Sequence, residues 1–322
     1  MVHFLAPGEG AAYEAFLQRH PLGNFMQSLS WPAVKTNWAH QTVLSLDPYG
    51  EIRGGMLVLF LQRPGERALL YAPHGPVCCW SQECLQDLLQ GVRVIAEQTG
   101  PALFRADPLI LAGDEKAIAV LRESGLTFRP GASAKEAIQP RFNYRLPLEG
   151  HGEEEIFLGL GSNTRRKIRK ALRDGVVCRV AERGELEAYY RMFVQTSLRQ
   201  GFPPRPKEYL VRLLDAFGRD ARLYLCCLNG AALCGAVAIH FGRYTHFVYG
   251  ASARQSREHY PCYLMQWEMI RWALENGSQW YDFGGVCIDE EEDPSLYRVY
   301  QFKKQFHGET VEYAGVFETL LG

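Results

Sequence analysis

The stretch that decides the fold is RLYLCCLNGAALCGAVAIHFG at residues 222–242, followed at once by RYTHFVYGAS at 243–252. Two β-rich runs flank Asn229-Gly230, a dipeptide that favours a tight hairpin because both residues tolerate positive φ. A third run follows Gly242, so the segment predicts three consecutive strands. YLMQWEMIRWALENG at 263–277 comes next. Its apolar residues recur at three- and four-residue spacing and stop at a glycine, which predicts a helix. SQWYDFGG at 278–285 then reads as a strand carrying Asp282.

The same order occurs once before. HQTVLSLDPYGEIRGGMLVLFLQ (40–62) turns at Asp47 to Gly50, ERALLYAPHGPV (66–77) is a further strand, and ECLQDLLQGVRVIAEQTG (83–100) has the helical pattern. PALFRADP (101–108) is the matching strand with its acid, Asp107. Two copies of this unit predict an α/β (α+β) protein of two tandem domains of similar fold. The joint is expected in the polar, Gly-rich LPLEGHGEEE (146–155), giving domains 1–147 and 148–310. The second copy opens with two helical patterns, about Glu154 to Arg173 and Leu186 to Arg199.

Composition narrows the function classes. With 47% hydrophobic and 22% charged residues, the 322-residue chain is neither disordered, collagen-like nor a simple coiled coil. Lys+Arg number 35 and Asp+Glu 36, so any polyanion contact must come from a local patch. The longest apolar run, near Met56 to Leu61, is far short of the roughly 20 residues of a membrane span. The start has no basic segment leading into an apolar core, so no secretory signal is expected. The nine cysteines are odd in number, include two adjacent pairs and form no CxxC. That argues against a disulfide framework and a zinc site, and points to a reduced, cytoplasmic protein. Nine scattered histidines have no ligand spacing, and no metal is expected.

HExxH, GxSxG and GxxxxGK[ST] are absent. The strongest charge feature is Arg165-Arg166-Lys167-Ile168-Arg169-Lys170-Ala171-Leu172-Arg173, six of nine basic. Ile168 and Leu172 would hold one face to the core while the cations point outward. A bare face of like charges is unfavourable without a partner, so phosphate-backbone contact competes with a solvated helix face. Arg205 and Tyr209, four apart after Pro203-Pro204, open another helical pattern and suit a phosphate clamp or an ordinary surface. In SLYRVYQFKKQFHG (295–308) aromatics and cations alternate, as a ligand-facing segment or a half-buried helix or strand with snorkelling lysines would require.

Taken in order, MQSLSWPAVK (26–35), YAPHGPV (71–77), FRADP (104–108), NTRRKIRKALRDGV (163–176), SLRQGFPPRPKEY (197–209), VYGAS (248–252), YDFGGV (281–286) and SLYRVYQFKKQFHG resemble the FemABX aminoacyltransferases. The resemblance runs from about Asn24 to Phe317. It implies two GNAT-like domains, with a C-terminal tail, about 311–322, returning to the first. It implies transfer of an amino acid from aminoacyl-tRNA, with no other cofactor, onto a peptidoglycan precursor, either UDP-MurNAc-pentapeptide or lipid II. The chain has no room for a coiled-coil arm and is similar to the shorter FemX-type enzymes, for which a monomer, with peripheral contact to the inner membrane leaflet, is expected.

By the same resemblance Lys35 and Arg205 match positions that grip precursor phosphates, and Tyr209 and Tyr249 match further residues of that pocket. Phe302 and Lys303 match the pair acting on the ester carbonyl, and Asp107 an acid considered as a base. The family has Arg where this chain has His74, and Gly where it has Arg298. Such a reaction needs a cation for the tetrahedral oxyanion and an acceptor for the amine proton, roles that suit Lys303 and Asp107. Two other readings share the pattern. An acyl-CoA N-acyltransferase would carry a Q/RxxGxG/A loop after the third strand, where YAPHGPV and VYGASAR stand instead. A non-catalytic tRNA- or precursor-binding module would keep the basic run and dispense with Lys303.

Overall fold

The computed structural model describes residues 2–130, 138–253 and 258–322. These form two units, Met1–Arg141 with Glu312–Gly322, and Phe142–Val311.

In the first unit the described strands are β1 (His3–Phe4), β2 (Ala39–Leu46), β3 (Ile52–Leu61), β4 (Ala68–Ala72), β5 (Val77–Cys78), β6 (Ala102–Ala106) and β7 (Thr127–Pro130). The C-terminal β15 (Gly315–Leu321) inserts between β6 and β7, giving the order β1-β2-β3-β4-β6-β15-β7 with β5 paired to β3. β2 and β3 are the predicted hairpin, with Leu44 opposite Gly55. β4 and β6 run parallel, Tyr71 opposite Arg105. A parallel neighbour requires a crossover, supplied here by α3 (Gln82–Thr99). Ser81 caps that helix by accepting Cys84 N–H, and Leu85, Leu88, Val92 and Ile95 form its buried stripe. Gly91 lets the helix approach β2, because a Cβ there would lie 2.3 Å from Val43. Helices α1 (Gly10–Arg19), α2 (Trp31–Val34) and α4 (Glu115–Glu123) complete this unit.

The second unit repeats the plan. Its strands are β8 (Phe142–Pro147), β9 (Val177–Val180), β10 (Ala221–Leu228), β11 (Ala231–Phe241), β12 (Tyr244–Ser252), β13 (Trp280–Val286) and β14 (Glu309–Glu312), in the order β14-β8-β13-β12-β11-β10-β9. β10 and β11 turn at Asn229-Gly230, and β12 and β13 are the parallel pair bridged by α9 (Pro261–Glu275). Met269 and Ile270 of α9 are fully buried, each stabilising the unit by about 2 kcal/mol. The remaining helices are α5 (Glu153–Gly159), α6 (Ser162–Arg173), α7 (Leu186–Gln200), α8 (Lys207–Phe217) and α10 (Pro294–Lys303). The tandem mixed architecture read from the duplication is the architecture observed.

Three expectations change. The units divide after Arg141, not Pro147, because β8 pairs antiparallel with β13 and so belongs to the second sheet. The helix expected over 154–173 is two helices, broken at Leu160-Gly161. A Cβ on Gly161 would lie 2.9 Å from the His307 ring. Leu172 does not face the core: it is 55% exposed, and Thr164, Ile168 and Ala171 are the buried positions of α6. No helix of the described residues is long and apolar enough to cross a membrane.

Candidate functional site

In the second unit, Asp293 starts α10. Its Oδ1 accepts the N–H groups of Ser295 (2.9 Å) and Leu296 (3.0 Å), and Pro294 fills the first helical position. The helix delivers Phe302 and Lys303 in its last turn. Phe302 is half-buried, edge-on to Tyr263 and Phe306. Lys303 does not snorkel; it is only 4% exposed. Its Nζ donates to the carbonyl oxygens of Gly284 (3.0 Å) and Gly285 (2.7 Å). Burial pulls the ammonium down to about 7, while the Asp282 carboxylate pulls the other way. Such an ammonium is a strong donor in a desolvated site, suited to a developing oxyanion. Arg298 lies within α10 and is exposed, so the departure from glycine falls on a helix and not in a loop ahead of Phe302.

Arg205, Tyr209 and Tyr249 come together in the same unit. The Arg205 guanidinium stands over the Tyr209 ring at 5.4 Å, and Tyr249 Oη donates to Tyr209 Oη at 3.0 Å. Tyr249 adopts positive φ (52°), and its carbonyl accepts the buried Tyr189 hydroxyl. Burial pushes the Tyr209 hydroxyl far above its ordinary range, so it stays neutral beside the cation.

The first unit holds the other expected residues. Lys35 follows α2 with Nζ 5.2 Å from the Trp31 ring centroid. Asp107 closes β6, buried. Its Oδ2 accepts the Tyr71 hydroxyl at 2.6 Å and its Oδ1 the His74 N–H at 2.7 Å. Burial raises this carboxyl to about 7 despite those two donors. With His74, Leu109, Gln139, Arg141 and Tyr313 it lines a narrow cleft. His74 is held by its backbone: φ is +53°, its N–H serves Asp107, and its carbonyl accepts Asn24 Nδ2 at 3.2 Å. Gln27, fully buried, braces the same loop by donating to Pro73 O (2.8 Å) and accepting Leu57 N–H (2.8 Å).

A raised carboxyl makes a pH-dependent cost. The folded state holds the Asp107 proton more tightly than the unfolded chain, so stability falls as pH rises from about 4 to about 7. Asp107→Asn, which cannot ionise, is expected to melt near wild type at pH 4.5 and several degrees higher at pH 8. Equal gaps at both pH values in thermal melts would contradict this.

The basic helix is more selective than its sequence. Arg165 donates to the Leu158 and Leu160 carbonyls, tying α6 to α5. Lys167 donates to Tyr263 Oη (2.7 Å) and Gln305 Oε1 (2.9 Å), and burial lowers its pKa. Lys170 pairs with Asp174. Arg166, Arg169 and Arg173 are the exposed cations of α6, spaced i, i+3, i+7 along one stripe.

Sequence reasoning missed Asn24, Gln27 and Tyr71 as supports of the Asp107 loop, although MQSLSW and YAPHGPV contain Gln27 and Tyr71. It also left Asp282 out of the site. The signal was present, since Asp282 occupies the place of Asp107 in the repeat.

The sequence model of the FemAB family matches residues 9–234 and 229–321. The UDP-N-acetylmuramoylpentapeptide-lysine N(6)-alanyltransferase of Weissella viridescens is 32% identical over 88% of this chain and 86% of its own length. A lipid II:glycine glycyltransferase of Staphylococcus haemolyticus is 25% identical over 96% of this chain and 91% of its own length. The crystal structure of FemX superposes with a TM-score of 0.89 at 23% identity, covering 100% of this chain and 97% of that one. A tandem GNAT protein from the clavulanic acid biosynthesis pathway shares the fold at a TM-score of 0.62 and 10% identity, covering 100% of this chain and 98% of that one.

Proposed function

The chain belongs to the FemAB family, and from this we propose that it is an aminoacyltransferase adding an amino acid to the stem peptide of a peptidoglycan precursor. The amino acid is a small one, as the alanyl and glycyl names of the relatives suggest, and its donor is aminoacyl-tRNA. The acceptor is a side-chain amine of UDP-MurNAc-pentapeptide or of lipid II. With the lipid-linked acceptor the protein would work from the cytoplasmic side, docked on the inner leaflet as a monomer.

The amine attacks the ester carbonyl. A C–N bond forms, the ester C–O bond breaks, and the tRNA leaves with a free 3′-terminal ribose hydroxyl. The ester is already activated, so positioning supplies much of the rate. In the second unit Lys303 donates to the tetrahedral oxyanion beside the Phe302 backbone. In the first unit Asp107 is the acid suited to accept or orient an amine proton. In the second unit Arg205, Tyr209 and Tyr249 bind phosphates of the precursor, and in the first unit Lys35 is a cation suited to the same chemistry. The exposed Arg166, Arg169 and Arg173 take the tRNA backbone.

The observation that carries the chemistry is the buried Lys303 ammonium on the Gly284 and Gly285 carbonyls. A cation kept out of water at an energetic cost is better explained by charge development on a substrate than by folding. The test mixes purified protein, a pool of aminoacyl-tRNAs and UDP-MurNAc-pentapeptide, and reads the acceptor mass. A gain of one alanyl or glycyl residue is expected with this acceptor or with the lipid-linked one. No gain with either, while tRNA still binds, overturns the reading.

A further inference from the structure

We propose that Asp282 is a positioning residue for Lys303: its carboxylate fixes the Gly284-Gly285 turn that receives the ammonium, and supplies the buried counter-charge that keeps that ammonium protonated. The proposal rests on the reading of Lys303 given above.

Asp282 and Lys303 grip the same turn. Asp282 Oδ1 accepts the Gly284 N–H at 2.6 Å, and Lys303 Nζ donates to the carbonyls of Gly284 and Gly285. Gly284 sits at φ +76°, and the register of β13 against β8 shifts between Asp282 and Gly285. The strand bulges where the lysine arrives. Without the Asp282 bond this turn would lose the contact that orients the Gly284 peptide.

Carbonyls orient an ammonium but carry no net charge, and a buried cation needs an anion. Asp282 is itself only 4% exposed. Besides Gly284 N–H it accepts Asn143 Nδ2 of β8 at 3.0 Å, and His246 Nδ1 of β12 stands 3.5 Å from Oδ2. Burial works to raise this carboxyl, but the donors outweigh it and hold it below its ordinary value. The titratable and charged groups around Asp282 are the buried Tyr281 beside it on β13, Tyr244 and His246 on β12, and Arg145 on β8. Arg145 is engaged elsewhere, over the Trp280 ring at 4.6 Å and with Glu309 at 3.4 Å. On α10 itself Arg298 is an exposed cation, and Lys304, the residue after the helix, is another. Asp282 is thus the carboxylate whose charge acts on Lys303.

The repeat sharpens the point. Asp107 and Asp282 are equivalent positions of the duplicated strand. Asp107 has a tyrosine hydroxyl and one loop N–H and holds its proton to about 7. Asp282 has a backbone N–H, an amide and an imidazole, and stays an anion. One duplicated acid suits proton transfer; the other suits charge compensation.

Asp282→Asn keeps an acceptor for Gly284 N–H and removes the charge. In ¹⁵N-lysine NMR, with Lys303 assigned by its loss in Lys303→Arg, the Lys303 titration midpoint is expected to fall by about one pH unit or more. The alkaline limb of kcat should move down by the same amount, with turnover at pH 7.5 reduced about tenfold and KM for the precursor unchanged. An unmoved midpoint in a folded variant overturns the proposal. A moved midpoint with unchanged turnover leaves the pairing standing and sinks the catalytic reading of Lys303. Should Asp282→Asn fail to fold, the ¹³Cγ resonance of Asp282 serves instead. It should show a step at the Lys303 midpoint in the wild type and lose it in Lys303→Met; no such step in the wild type overturns the proposal.

Discussion

Replacing Lys303 by methionine is expected to lower turnover by about 10²–10³-fold and to raise the melting temperature. The two effects have one cause. Burial brings the ammonium down to about 7, so the folded state binds this proton less tightly than the unfolded chain. That penalty is present in full below pH 7 and fades as pH climbs towards the ordinary lysine value. It amounts to about 5 kcal/mol at most, at 1.4 kcal/mol per pH unit. Methionine fills similar volume without the charge but leaves the Gly284 and Gly285 carbonyls without their donor, which costs back about 1–3 kcal/mol. A net gain of about 2–4 kcal/mol should appear as a rise of several degrees at pH 7, shrinking by pH 10. Single-turnover rates and melts across that range check it. Normal turnover would remove Lys303 from the chemistry; a lower melting temperature would make it a structural group.

The second large effect concerns α6. Changing Arg166, Arg169 and Arg173 together to alanine is expected to weaken tRNA binding about 10²-fold at 0.15 M salt, and to flatten the slope of log K against log salt by about 2–3. The melting temperature should hardly move, because these side chains are exposed. The companion triple, Arg165, Lys167 and Lys170 to alanine, should do the reverse. Those cations hold the α5–α6 carbonyls, Tyr263 with Gln305, and Asp174, so their loss costs stability and leaves the salt slope nearly intact. Equal slopes for both triples would place the tRNA elsewhere.

Much of this molecule is local chemistry written in order. Asn229-Gly230 and the Asp47–Gly50 turn announce hairpins because of their φ preferences. The stripe Leu85, Leu88, Val92, Ile95 announces its helix because 3.6 residues make a turn. Repetition of that order is enough to state two tandem domains. The resemblance of scattered motifs then pointed to the family and to residues such as Arg205, Tyr209 and Tyr249, which the fold brings into contact.

Position in sequence could not say which of the six cations on α6 reach solvent, since that depends on the backbone break at Leu160-Gly161 and on what Tyr263 and Gln305 offer from distant elements. The same limit hid Asp282. Hairpin turns, helix stripes and a repeated strand order are set within a few residues of one another, so the amino-acid sequence alone determined them. The protonation of Asp107 and Lys303 depends on burial and on partners such as Tyr71 and Asp282, up to 36 residues away along the chain. Only tertiary structure removes the water and brings those dipoles and charges close, and only it decided which acid keeps a proton and which lysine nearly loses one.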